Sequence, residues 1–113
     1  MLAISQALLV DQQAEGAVAV TPHGFRQSGC DTSTHFVQWA EGTAAGEVVV
    51  EQGPTESADD EDWVVEATVT FVGPAPKTDR VVVTGAHGAI RHRVSGVVVD
   101  GFVTTRIVGS APE

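Results

Sequence analysis

The segment from Trp63 to Phe71, W-V-V-E-A-T-V-T-F, constrains the fold more than any other part of the chain. Its odd positions Trp63, Val65, Ala67, Val69 and Phe71 are all apolar, while Glu66, Thr68 and Thr70 fall between them. A repeat of two sends alternate side chains to opposite faces of an extended strand, so the odd set is expected on a core and the even set toward water. Gly73-Pro74 should end this strand, because proline donates no ladder hydrogen bond.

The rest of the chain reads in the same way. Residues 33–40 set His35, Val37 and Trp39 on one face and Thr34, Phe36 and Gln38 on the other. A small-residue turn over 42–46 leads into residues 47–51, which predicts a hairpin. Residues 80–84 form a short valine-rich strand. Residues 89–94 and 102–108 read as a closing hairpin around a loop with Ser95-Gly96 and Asp100-Gly101, placing Ile90 and Val94 inward and Arg91 and Arg93 outward. Near the N-terminus, Leu2, Ile4, Leu8 and Val10 fit either an edge strand or an arm packed on a neighbouring subunit, and residues 17–20 suit a second short strand. No stretch of helical length carries an uninterrupted apolar stripe. The expected class is all-β, a small antiparallel β-sandwich or jelly-roll-like barrel of roughly six to eight short strands. Residues 1–22 would form the arm or edge strand, and 23–113 the sandwich.

A chain of 113 residues suits one domain. The single Cys30 cannot form an intrachain disulfide, which fits synthesis in a reducing cytosol. The opening M-L-A-I-S-Q-A-L-L-V-D lacks a basic flank and breaks its apolar run at Ser5 and Gln6, so neither a signal peptide nor a membrane span is expected. Six basic against fifteen acidic residues give a net charge of -9, which repels a phosphate backbone and speaks against nucleic acid as partner. The charge is also uneven. Glu41, Glu47, Glu51, Glu56, Asp59, Asp60, Glu61, Asp62 and Glu66 run without an intervening Lys or Arg, whereas Lys77, Arg80, Arg91, Arg93 and Arg106 dominate the C-terminal third. Such asymmetry suits head-to-tail contacts between copies or docking onto a partner; acidic loops kept for solubility would produce the same pattern.

The contiguous acids Asp59, Asp60, Glu61 and Asp62 raise the question of a cation site, with Asp59, Asp60 and Asp62 as candidate ligands. A calcium loop of the EF-hand kind spaces its oxygens at alternate positions around a glycine and closes with a bidentate Glu, none of which is present. Mutual repulsion favours an extended, solvated loop instead. The histidines His23, His35, His87 and His92 show no zinc spacing, and His92, sharing a face with Ile90 and Val94, reads as a structural residue. Cys30 would need a base such as His35 to act as a nucleophile, and nothing local specifies one. No GxSxG, GxxxxGK[ST] or GxGxxG occurs, and a sugar cleft would be short of aromatic residues. No cofactor and no enzymatic activity are expected.

One further pattern spans Phe36 to Val108. Trp39, a small-residue turn, the strand E-V-V-V-E, a polar loop, Asp62-Trp63 opening a long strand, H-G-A-I-R-H-R-V-S-G and the closing T-T-R-I come in that order. This arrangement resembles a group of small virion proteins of tailed bacteriophages. The resemblance implies a structural role: a head decoration or cement protein bound to the major capsid protein, or a tail, neck or fibre component. It also implies oligomers and residence in the virion after synthesis in the host cytoplasm. On that reading Leu2, Ile4 and Leu8 would dock on the shell or a neighbouring copy. Arg91 and Arg93 would meet acids on a partner, or acids such as Glu66 within the same domain. The different reading is a β-sandwich module that binds calcium or glycans.

Overall fold

The computed structural model describes residues 2–21, 32–55, 57–84 and 89–111, the side chains of 2–4, 110 and 111 excepted. The candidates His23, Cys30 and His87, and the side chains of Leu2 and Ile4, lie outside the described residues. Among the described residues eight strands succeed one another: β1 (Leu2–Ala7), β2 (Val18–Val20), β3 (Thr32–Trp39), β4 (Ala45–Gly53), β5 (Val64–Thr70), β6 (Lys77–Thr84), β7 (Ala89–Val99) and β8 (Val103–Ala111). They form two four-stranded antiparallel sheets, ordered β1-β8-β3-β6 and β2-β7-β4-β5. Only β4 and β5 are both consecutive and paired; every other connection crosses between the sheets. This is the strand order of a jelly roll, and the expected small antiparallel sandwich is therefore present. The N-terminal segment supplies an edge strand to each sheet, β1 on β8 and β2 on β7.

Both predicted hairpins are corners instead. β3 and β4 lie in different sheets, as do β7 and β8. Glycine-rich turn chemistry reverses the chain equally well whether the next strand pairs with the last or packs over it, so the turn residues alone do not separate the two cases. The corners dock on each other. Ala40 N–H donates to the Phe102 carbonyl at 2.9 Å. Gly42 adopts φ +92°, a region costly for residues with a Cβ, and a Cβ there would also lie 3.0 Å from the Asp100 carbonyl oxygen. Ser95-Gly96 is likewise no loop: β7 runs through it to Val99, with the pairing to β4 shifting register between Glu47 and Val48.

The interior of the sandwich is filled by Leu9, Val37, Trp39, Val48, Val69, Val94, Val98 and Val103 toward one end. Val50, Val83, Ile90 and Ile107 form a second cluster. Trp39 packs against β4, where a Cβ on Gly46 would come within 2.7 Å of its ring. Its Nε1–H reaches the rim and donates to Asp79 at 2.9 Å.

The apolar alternation from Trp63 to Phe71 marks the inner face along only part of β5. Val48 pairs with Val69 and Val50 with Ala67, but Glu51 pairs with Val65, so two steps on β5 match one on β4. The bulge at Glu66 reverses the faces: Ala67, Val69 and Phe71 point into the sandwich, whereas Val65 is 48 % exposed and Trp63 sits over the outer surface. An unbroken period of two in sequence cannot reveal an inserted residue.

Candidate functional site

Beside the bulge, a polar cluster stands on the outer surface of the second sheet. Glu51 on β4 stands directly across from Arg91 on β7, and Val49 across from Arg93. Antiparallel partners share a face, so the two arginines converge on one carboxylate. Arg91 Nε donates to Glu51 Oε1 at 2.9 Å and Arg93 Nε donates to the same oxygen at 3.0 Å. Arg91 Nη1 donates to Asp60 Oδ1 at 3.0 Å. Trp63 closes the arrangement, its ring centre 4.5 Å from the Arg91 guanidinium carbon and its Nε1–H donating to the Ala58 carbonyl. The Glu51 side chain is 5 % exposed and that of Arg91 8 %, whereas the Asp60 side chain is 96 % exposed. Burial alone would raise the Glu51 carboxyl pKa; the hydrogen bonds from Arg93 and Arg91, and their charges, overcome this and hold it below the usual carboxylate range. An open pocket of about 410 Å³ lies beside the cluster, lined by Gly16, Val18, Glu51, Asp60, Arg91 and Arg93. Two guanidiniums face two carboxylates, so the cluster is charge-balanced and fixes the outer face more than it offers net charge to a ligand.

Trp63 can reach Arg91 only because Gly53 has no side chain. A Cβ at position 53 would lie 2.8 Å from indole carbons of Trp63. The Gly53→Ala variant is expected to displace the indole and to cost about 1–3 kcal/mol, as overpacking does. A lowered denaturation midpoint together with red-shifted tryptophan emission would report it, and an unchanged emission maximum would show that Trp63 does not rest on Gly53.

A second polar assembly lies inside the sandwich. His35 on β3 and His92 on β7 are fully buried and meet across the two sheets, His35 Nδ1 to His92 Nε2 at 2.7 Å. Ser33 Oγ lies 2.7 Å from His35 Nε2, and Thr105 Oγ1 lies 2.7 Å from His92 Nδ1. Thr105 Oγ1 also accepts from the Leu9 backbone N–H at 3.0 Å. Three bonds in a row need three protons, which two neutral imidazoles and one terminal hydroxyl supply when all point the same way. Burial pushes the His35 pKa down to about 4; burial, followed by the charge of His35, pushes that of His92 down to about 3. Shut away from water and from any substrate, the chain Ser33–His35–His92–Thr105 joins the sheets.

The acidic run from Asp59 to Asp62 is not the extended loop expected. Residues Asp60–Asp62 form one 3-10 turn, with the Asp62 N–H donating to the Asp59 carbonyl at 2.9 Å. Asp59, Glu61 and Asp62 are exposed. Among the described residues no three His, Cys, Asp or Glu side chains converge as a metal site requires. Arg91 and Arg93 do project from one face, and their acid is Glu51 of the same chain. Leu8 packs against the chain's own core. Sequence reasoning passes over Glu51 as a site residue, because E-V-V-V-E reads as strand and its end gives no sign of burial. It passes over the histidine pair because residues 35 and 92 stand 57 positions apart.

No protein-family model, curated protein or solved structure matches the chain.

Proposed function

We propose that the chain is a non-enzymatic structural protein of a tailed-phage virion, a decoration or cement protein that binds the outer surface of the head. The jelly roll suits that role as a rigid module, yet folds of this kind host many functions, so the surface has to carry the reading. The observation that carries it is the apolar exposure around the corner between β7 and β8. Val97, Val99 and Phe102 are exposed there, at 51 %, 39 % and 47 %. Val10, 53 % exposed, belongs to the same end through the bridge between Gln12 and Val103. Isolated exposed valines need no explanation, but several around one rigid corner mark a contact surface. A cement protein acts by burying area between shell subunits, and needs such a surface instead of a cleft.

Mass spectrometry of purified virions should find the chain in many copies per head, and the purified protein should bind expanded capsids of the encoding phage at a fixed stoichiometry. The Val97→Ser/Val99→Ser/Phe102→Ser variant, folded by circular dichroism, is expected to lose that binding. A chain absent from virions would refute the proposal, and one found only on tails would move it to the tail, neck or fibre.

A further inference from the structure

The outer face of the first sheet has a charge pattern opposite to that of the chain as a whole. Directly opposed residues place Ala7, Arg106, Phe36 and Arg80 in one row across β1, β8, β3 and β6. The neighbouring row is Ser5, Val108, Thr34 and Val82. The next positions outward are Gln38, Thr78 and Thr104 on one side and Thr32 and Thr84 on the other. No Asp or Glu stands on this face among the described residues of the four strands, in a chain of net charge -9. Asp11, bonded to Thr104, marks its rim. Lys77, Arg91 and Arg93 each have a carboxylate partner. Arg80 and Arg106 have none among the described residues; Arg106 donates to the Ser5 hydroxyl at 2.8 Å. Both are exposed, and both flank the half-buried Phe36.

The complement to this face lies on the opposite side of the same molecule. The outer surface of the second sheet carries the 3-10 turn, where Asp59, Glu61 and Asp62 are exposed while Asp60 is held by Arg91. Val18 and Val65, each 48 % exposed, lie on that surface as well. Arg91 and Arg93 on the second sheet are paired with Glu51 and Asp60 of the same chain, so the turn leaves that side net negative. The two sides thus carry net charges of opposite sign beside apolar side chains. One molecule cannot bring its two outer faces together, whereas two copies can.

We propose that the Arg80–Phe36–Arg106 face of one copy docks on the acidic turn Asp59–Asp62 of a second copy, head to tail. This contact does not depend on the virion reading. It is heterologous, so it propagates into rings or filaments instead of stopping at a symmetric dimer. Four strands about 4.8 Å apart, and some eight residues at about 3.3 Å each, give a face on the order of 500 Å². That is less than the roughly 800 Å² per partner of a standard interface. Association is therefore weak and charge-dependent, and is lost as salt shortens the screening length.

Analytical ultracentrifugation at 20 and 500 mM salt tests this, using Arg80→Glu/Arg106→Glu as one variant and Asp59→Asn/Glu61→Gln/Asp62→Asn as the other. All five substitutions are at exposed positions, and unchanged melting curves would confirm that both variants fold. The native chain should self-associate at low salt and dissociate at high salt. Each variant alone should associate at least roughly tenfold more weakly than the native chain. An equimolar mixture should form dimers that grow no further. The first variant keeps its acidic turn and the second its arginine face, whereas the other two surfaces, glutamates against a neutral turn, do not attract. A native chain that stays monomeric at low salt overturns the proposal. So does association that survives Arg80→Glu/Arg106→Glu, or a mixture that remains monomeric.

Discussion

Replacing Glu51 by alanine is expected to lower the unfolding free energy by about 3–5 kcal/mol, the usual result of removing one partner from a buried ion pair. Arg91 keeps its guanidinium on the outer sheet surface with the side chain 8 % exposed, and loses the carboxylate that compensates its burial. Arg93 loses its carboxylate partner at the same time. Asp60 cannot take over, because its carboxylate lies in solvent at 96 % exposure, where screening leaves an ion pair contributing about 0–1 kcal/mol. Asp60→Asn should accordingly move the midpoint little. In a domain of this size the Glu51 loss corresponds to a melting temperature lower by roughly 12 °C or more. Urea denaturation of the two variants side by side measures the contrast. Equal, small effects would mean that Glu51 is solvated like Asp60 and that no buried cluster exists.

Acidification should unfold the protein well before its exposed carboxylates are all neutralised, through the imidazoles of His35 and His92. Their ordinary pKa is 6.5, and in the folded chain they are held down to about 4 and about 3. Proton uptake sets the sign. As pH falls below 6.5 the unfolded chain binds two protons that the folded chain refuses, so stability is complete above that value and declines toward pH 4. Each imidazole contributes a slope of about 1.4 kcal/mol per pH unit, and the pair together on the order of 6 kcal/mol by pH 4. That is comparable with the whole stability of many domains. Glu51 works in the same direction over a lower window: its pKa is depressed, so its contribution is present above 4.5 and is lost below. The geometry explains the resistance. One added proton can be accommodated if Ser33 turns to accept, but a second sets two N–H groups against each other across 2.7 Å. Denaturation midpoints between pH 7.5 and 4.5 measure the slope, and imidazole NMR titration assigns it. Two of the four histidines should keep constant shifts from pH 7.5 to 5. Titration of all four near pH 6.5 would sink the assignment.

The legible and illegible parts of this protein separate along a physical line. Periodicity reported side-chain direction wherever a strand ran without interruption. In β3 the set His35, Val37 and Trp39 faces in and the set Thr34, Phe36 and Gln38 lies on the other face as read, with Ser33 joining the inner set, and Ile90, His92 and Val94 face in from β7. It failed at the bulge on β5, where one extra residue carried Trp63 and Val65 to the other face while their apolar character stayed the same. For the same reason Trp63 belongs to the outer cluster with Arg91 and not to the core.

Local chemistry thus determined the all-β class, the strands and most of their inner faces, because φ/ψ preference and alternate burial act over a few residues. It could not determine which strands pair. Glycine and aspartate at 42–46 and 100–101 permit a hairpin or a corner alike, and the choice depends on burying β3 over β4 and β7 over β8 in a single core. That choice created everything chemically distinctive here. It set Glu51 between Arg91 and Arg93, brought His35 against His92 through the middle of the sandwich, and aligned Arg80 and Arg106 on either side of Phe36. Each is a meeting of residues far apart in the chain, held by packing that no short segment encodes.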